Sequence, residues 1–227
     1  MADKDENGWQ RSDAPADRQA AGERDVDPQR EREREIEAER QREIEARRRA
    51  ALARIRSFGD PVLKTKAAAV TEFDEALRSE VVRMTRLMAD ALGVGLAANQ
   101  VGLLHRLLVY RPSPDAPLVA VVNPALEWAS QEQEVAEEGC LSLPGIALDV
   151  ERPIHVRVGA RDENGDEILI EASGLEARIL QHEIDHLDGV LILDRTTKEE
   201  RKEAMRLLRE GAGDPHATRE AVEVSTA

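Results

Sequence analysis

Apolar positions along this chain change their spacing several times, and each change marks an element. Between Asp74 and Leu92 the residues Leu77, Val81, Met84, Met88 and Leu92 recur every three or four positions, which places them on one face of a helix. Asp74, or Thr71 just upstream, suits the N-cap, and Gly93 suits the stop. Short runs rich in Leu and Val follow at Arg106–Tyr110 and Leu118–Val122, with Pro112, Pro114 and Pro117 between them. Ile154–Ala160 alternates apolar with polar, and Glu167–Ala172 is a further β-like run. Asn164-Gly165 between the two favours a tight hairpin, so the sheet is expected to be largely antiparallel. Helical spacing returns after Gly174 and runs to about Leu187, where Asp188-Gly189 ends it. A short apolar run, Val190–Leu193, precedes a charged helix over Thr197–Glu210. No internal repeat is visible.

The pattern divides the chain into three parts. Residues 1–54 form a charged extension, disordered over 1–29 and a strong helix former over 30–54. Glu43–Arg47 and Glu45–Arg49 are favourable i,i+4 pairs, but Ile36 and Ile44 are its only large aliphatic residues before Leu52, too few for a coiled-coil seam. Residues 55–210 form the folded domain, and 211–227 a flexible tail.

Composition narrows the classes. The net charge is −14, mostly in the body of the chain, which argues against a general nucleic-acid binder and against DNA in particular. Cys140 is the only cysteine, so no intramolecular disulfide forms and a reducing compartment fits. No apolar run is long enough to span a membrane. The first residues carry no apolar signal stretch and are too acidic for a transit peptide, so a cytoplasmic protein is expected.

The chemistry concentrates in His182-Glu183-Ile184-Asp185-His186, an H-E-x-x-H pattern inside the second helical stretch. Two His at i and i+4 reach one metal ion from one helix face, and the Glu between them can take a proton from a water on that ion. A catalytic metal usually has three protein ligands and one open position. The third ligand has two candidate sources. One is downstream, among Asp194, Glu199, Glu200 and Glu203, as in a zinc endopeptidase; the other is upstream, the thiolate of Cys140. The run Gly93-Val94-Gly95-Leu96-Ala97-Ala98-Asn99-Gln100 fits a dinucleotide fingerprint only superficially, because a helix precedes it where a strand is required. A nearly uncharged, glycine-rich loop suits close backbone approach to a peptide, and Gln100 can donate to a developing oxyanion. His105, His155 and His216 read as surface or partly packed side chains.

Taken together and in order, GVGLAANQ, EEGCLS and QHEIDH resemble peptide deformylase, over roughly Ile55 to Asp194. The resemblance implies an α+β fold in which antiparallel sheets wrap a central helix carrying the H-E-x-x-H motif. It implies Cys140, His182 and His186 as metal ligands, Glu183 as the proton carrier, and Gln100 with the Leu141 backbone N–H as oxyanion donors. Backbone groups of Val94, Gly95 and Gly139 would pair with the substrate as an added strand. Leu175 and Ile179 would shape the methionine pocket, with the Arg178 stem buried along its wall and its head in water. The implied reaction removes the formyl group from N-formyl-methionyl peptides of nascent chains. The implied cofactor is one divalent ion, Fe²⁺ in the cell, with Zn²⁺, Ni²⁺ or Co²⁺ as alternatives. A transient ribosome contact through the basic residues of the last helix is a further expectation. A deformylase-like protein that binds without catalysis is the remaining reading, and the complete set of metal and acid–base residues argues against it.

Overall fold

The computed structural model describes residues 28–210. The disorder expected over 1–29 and the flexible tail over 211–227 therefore lie outside the described residues, apart from Pro28 and Gln29, which open a helix. Two compact units are distinguished, residues 1–40 and residues 41–227. In the first, helix α1 (Pro28–Leu52) begins, and its described side chains up to Arg40 are exposed. The second unit takes in the last turns of α1, where Ala51 is buried in the core together with Ile55.

The stripe predicted after Asp74 forms helix α2 (Glu75–Asp90), and the Asp74 carboxylate caps it by accepting the Leu77 N–H at 3.0 Å. Leu77, Val81, Met84 and Met88 are buried as expected, whereas Leu92 is 62 % exposed and lies beyond the helix. The cause is local. The Gly93 N–H bonds the Met88 carbonyl and the Leu92 N–H bonds the Ala89 carbonyl, which is a Schellman ending with Leu92 in the left-handed position at φ 58°. The apolar period therefore continues two residues past the end of the helix that produces it.

Strands β1 (Gly95–Ala97), β2 (Leu107–Tyr110), β3 (Val119–Ala129), β6 (His155–Arg161) and β7 (Glu167–Ser173) pair in that order, antiparallel throughout. Around the turn joining β6 to β7, Arg161 faces Glu167, and the Asp162 carboxylate accepts the N–H groups of Asn164 and Asp166. A separate two-stranded ribbon is made by β4 (Gln133–Gly139) and β5 (Ala147–Pro153). β1 and β4 each keep one edge unpaired.

Helix α3 (Leu175–Leu187) carries the motif, and ten of its thirteen residues are buried. It packs on the sheet through Ala177, Leu180, Ile184 and Leu187, against Leu108, Val121 and Val158. Gly189 then takes φ +75°, and a Cβ there would lie 2.7 Å from the Lys64 carbonyl oxygen, so the stop after α3 requires glycine. Helix α4 (Lys198–Arg209) closes the described chain, with Ala204 packed against the β4–β5 ribbon and Leu193. The architecture is α+β, with antiparallel sheets around the motif helix, as the resemblance implied.

Candidate metal centre

His182 and His186 project from one face of α3, with ring centroids 4.9 Å apart and planes at 71°. Cys140 is delivered from the other side by the end of β4, and its Sγ lies 3.2 Å from His186 Nε2. One donor atom from each of Cys140, His182 and His186 falls within 4.8 Å of the others. Donors bound to one ion at 2.0–2.3 Å lie at most about 4.6 Å apart, so a small side-chain adjustment brings the three onto a single ion. The residues therefore fit a thiolate–bis-imidazole metal site.

The charge balance agrees. Burial weighs against a proton on either imidazole, but Cys140 and Glu138 overcome it at His182 and hold that ring well above its ordinary value. Burial, reinforced by the neighbouring His182, pushes His186 well below.

The downstream acids are engaged elsewhere. Asp194 accepts from Lys64 and the Leu191 N–H, Glu200 caps α4 through Thr197, and Glu203 pairs with Arg206. Among the described residues none of them joins the His pair, whereas the Cys140 thiol does.

Behind the ligands sits a group that the motifs alone do not disclose. His182 Nδ1 lies 2.9 Å from Glu138 Oε2, which orients the ring so that its other nitrogen faces the centre. Burial alone would raise Glu138, but hydrogen bonds from Arg152 and His182 lower it to about 2. Arg152 also reaches Asp185 on α3 at 2.6 Å, and Asp185 accepts two further bonds from Arg195. Arg178 differs from expectation. Its head is not in water but bonds Glu138 at 2.9 Å and the carbonyls of Val150 and Glu134 at 2.8 Å. Arg152 had one readable signal: it follows Leu148 and Val150 at inward positions of an alternating strand, and a cation there needs a buried partner.

Glu183 is buried, and burial pushes its carboxyl up to about 7. Among the described residues its Oε2 has no hydrogen-bond partner. An unsatisfied carboxylate oxygen beside three ligand atoms suits a group that exchanges a proton with what enters the cleft. Gly95 lies directly against it, and a Cβ at that position would come 2.3 Å from Glu183 Oε1.

Gln100 stands in the 3₁₀ turn Ala98–Val101, almost fully buried. Its Oε1 accepts the Ala97 N–H at 2.9 Å, which leaves Nε2 to face Ser142 Oγ at 3.2 Å and Cys140 Sγ at 3.7 Å. The amide donor thus points at the centre. Among the described residues the Leu141 N–H has no acceptor within the fold.

These groups line a cleft of ≈ 410 Å³. Val94 and Gly95 border it from the β1 side and Gly139 from β4, so the open edges of these two strands border the same space. Leu175 and Ile179 line it too, as expected. Eight of the nine sequence-derived site residues line this cleft, and the ninth, His186, is buried behind Cys140 with its Nε2 3.2 Å from the thiol sulfur.

Comparison with known proteins agrees with this geometry. The family model described as polypeptide deformylase matches residues 52–202. A peptide deformylase of Acidothermus cellulolyticus is 46% identical over 178 residues, covering 74% of this chain and 97% of that protein. One from Thermotoga neapolitana is 48% identical over 155 residues, covering 68% and 90%. Among solved structures, a Synechococcus elongatus peptide deformylase in complex with actinonin is 42% identical with a TM-score of 0.65, covering 69% of this chain and 86% of that one. The Thermotoga maritima peptide deformylase is 46% identical with a TM-score of 0.62, covering 63% and 97%.

Proposed function

Because this chain belongs to the polypeptide deformylase family, we propose that Cys140, His182 and His186 hold its divalent metal ion and that Glu183 carries the reaction's proton. The enzyme is a hydrolase that removes the N-formyl group from newly made proteins. The observation that supports these roles best is the meeting of three ligand atoms within 4.8 Å beside a buried carboxylate oxygen that has no partner.

Held by Cys140, His182 and His186, the ion would supply Lewis acidity toward the formyl carbonyl and would lower the pKa of a water toward neutrality. Glu183 accepts that proton and returns it to the departing methionine nitrogen. Burial keeps its carboxyl near neutrality, which suits both halves of this transfer. Gln100 Nε2 and the Leu141 N–H donate to the oxygen on which charge develops. Backbone groups of Val94, Gly95 and Gly139 hold the peptide as an extended strand between the two free edges. Leu175 and Ile179 cover the methionine side chain.

Fe²⁺ is the cellular ion in this reading, on the strength of the family resemblance, with Zn²⁺, Ni²⁺ and Co²⁺ suited to the same donors. The compartment is the cytoplasm, where nascent chains emerge. A transient ribosome contact would use Lys198, Lys202 and Arg209 of α4, which have no ion pair among the described residues, whereas Arg201 and Arg206 are paired. Co-sedimentation at low salt, compared with a chain ending at Thr196, tests that contact.

The deciding experiment is formate release from formyl-Met-Ala-Ser by protein purified without oxygen. Release that falls about 10²–10⁴-fold in Glu183→Gln, with metal content retained, is the expected result. Full activity in Cys140→Ala would remove the ligand assignment.

A further inference from the structure

A formyl group is a one-carbon cap, and nothing of the substrate lies beyond it. Any part of the cleft touched by neither the formyl group nor the methionine side chain therefore faces the second and later residues of the peptide. Arg48, Leu52, Leu92, Pro144 and Gly145 line the cleft and are not among the residues assigned to the metal, the oxyanion or the methionine side chain. Two of them belong to α1, and residues 48–51 precede the 52–202 span that the family model matches.

The end of α1 is fixed in place. Ala51 and Ile55 are buried in the core, and Leu52 packs against the same cluster as Leu141. Just past the helix, the Arg56 N–H bonds the Gln100 carbonyl at 2.7 Å, joining this segment to the turn that carries the amide donor. Arg48 is one turn before Leu52, on the same helix face. Its direction toward the cleft is therefore set by a seated helix and not by a loop.

Arg48 also differs in its partners from the other cation of the cleft. Arg178 is held by Glu138 and backbone carbonyls. Arg48 is exposed and has no ion pair among the described residues. The free charge of opposite sign, Glu137, lies on the β4 side of the cleft. The protein as a whole carries −14 and repels an acidic peptide at long range, so the attraction Arg48 offers a carboxylate acts at short range, on the α1 side of the cleft and away from Glu137 on the β4 side.

Resting on the deformylase reading above, we propose that Arg48 is a specificity-determining residue that binds a carboxylate carried by the formyl-peptide beyond its methionine. That carboxylate can be an Asp or Glu side chain at the second or third residue, or the terminal carboxylate of a short peptide.

The test uses the full chain, loaded with metal and kept without oxygen. kcat/KM is measured for formyl-Met-Ala-Ser-amide, formyl-Met-Asp-Ser-amide, formyl-Met-Ala-Asp-amide and formyl-Met-Ala-Ser with a free carboxylate, in the wild type, R48K and R48E. The readout is the acidic-to-neutral ratio within each protein, so a general loss of metal or fold cancels. At least one acidic peptide is expected to lead the neutral one by about threefold to fivefold in the wild type, through KM, as befits a solvent-accessible ion pair. R48E should shift that ratio by about tenfold toward the neutral peptide, R48K should keep its direction, and 0.5 M NaCl should flatten it. The acidic position with the largest shift identifies the source of the carboxylate. Equal ratios in the wild type and R48E overturn the proposal while leaving the deformylase reading intact. No formate from any peptide overturns both.

Discussion

Arg152 on β5 donates two hydrogen bonds, of 2.8 and 2.9 Å, to the carboxylate of Glu138 on β4, with both side chains about 95 % buried. The third nitrogen of the same guanidinium reaches Asp185 on α3. One cation thus ties the ribbon that carries Cys140 to the helix that carries the two His. Arg152→Met removes the partner that two buried carboxylates share, leaving Glu138 to Arg178 and His182 and Asp185 to Arg195, and is expected to destabilise the fold by up to about 3–5 kcal/mol, read from urea unfolding. Glu138→Gln keeps the shape but weakens the acceptor behind His182. Metal affinity should fall about 10–100-fold, measured by competition with a chelator.

Gly95 sits where a methyl group would strike the Glu183 carboxylate. In Gly95→Ala the carboxylate must turn away from its place, because the neighbouring strand backbone cannot shift without breaking its ladder with Tyr110. We expect kcat to fall at least tenfold with metal content unchanged. Unaltered kcat would show that Glu183 tolerates displacement and so does not act from this position.

Gln100 separates two duties on one amide. Gln100→Glu keeps the oxygen that accepts from Ala97 and loses the donor facing Cys140. Activity should drop about 10²–10³-fold, as for loss of one oxyanion donor. Gln100→Leu should in addition lower stability by about 1–3 kcal/mol, since the Ala97 N–H then lacks its acceptor. The contrast is read by comparing formate release with thermal unfolding for the two variants.

Asp194 provides a pH signature away from the metal. Burial alone would raise its carboxyl, but hydrogen bonds from Lys64 and the Leu191 N–H hold it below its ordinary 3.8. Its folded value is therefore below its unfolded one, so its stabilisation is present above about pH 4 and is lost as the pH falls through the folded value. The difference in urea midpoint between the wild type and Asp194→Asn should be constant from pH 5 to 7 and shrink toward pH 3. A difference that grows on acidification would contradict this sign.

The motif helix and the residues that touch chemistry were legible because their spacing is their function: two His one turn apart can do little else when a third donor arrives. α2 was legible up to Met88 for the ordinary reason of core periodicity. Leu92 was misread because a Schellman ending places an apolar residue in register with a stripe that has already ended. The β4–β5 ribbon escaped because Gln133–Gly139 carries three acids and little apolar surface, as suits a strand with a free edge. Glu138 was inside a recognised motif but had no visible duty until Arg152 and His182 were placed on either side of it. Arg178 was given a head in water because snorkelling is the rule for a cation on a pocket wall, and a buried carboxylate within reach reverses that rule. The close of α1 was hidden behind Ala51, a residue too small to announce a core.

The two unpaired edges raise a question of self-restraint. An edge open to any extended backbone is also open to another copy of itself, and that is how soluble sheets turn into fibres. Here β1 offers only three residues, too short to nucleate a lasting ladder without a partner already seated on the far side. β4 is longer, but the exposed Glu134 and Glu137 make a second copy repellent. The groove can therefore stay open in a crowded cell, engaging a strand long enough to act on its end and too weakly to keep it.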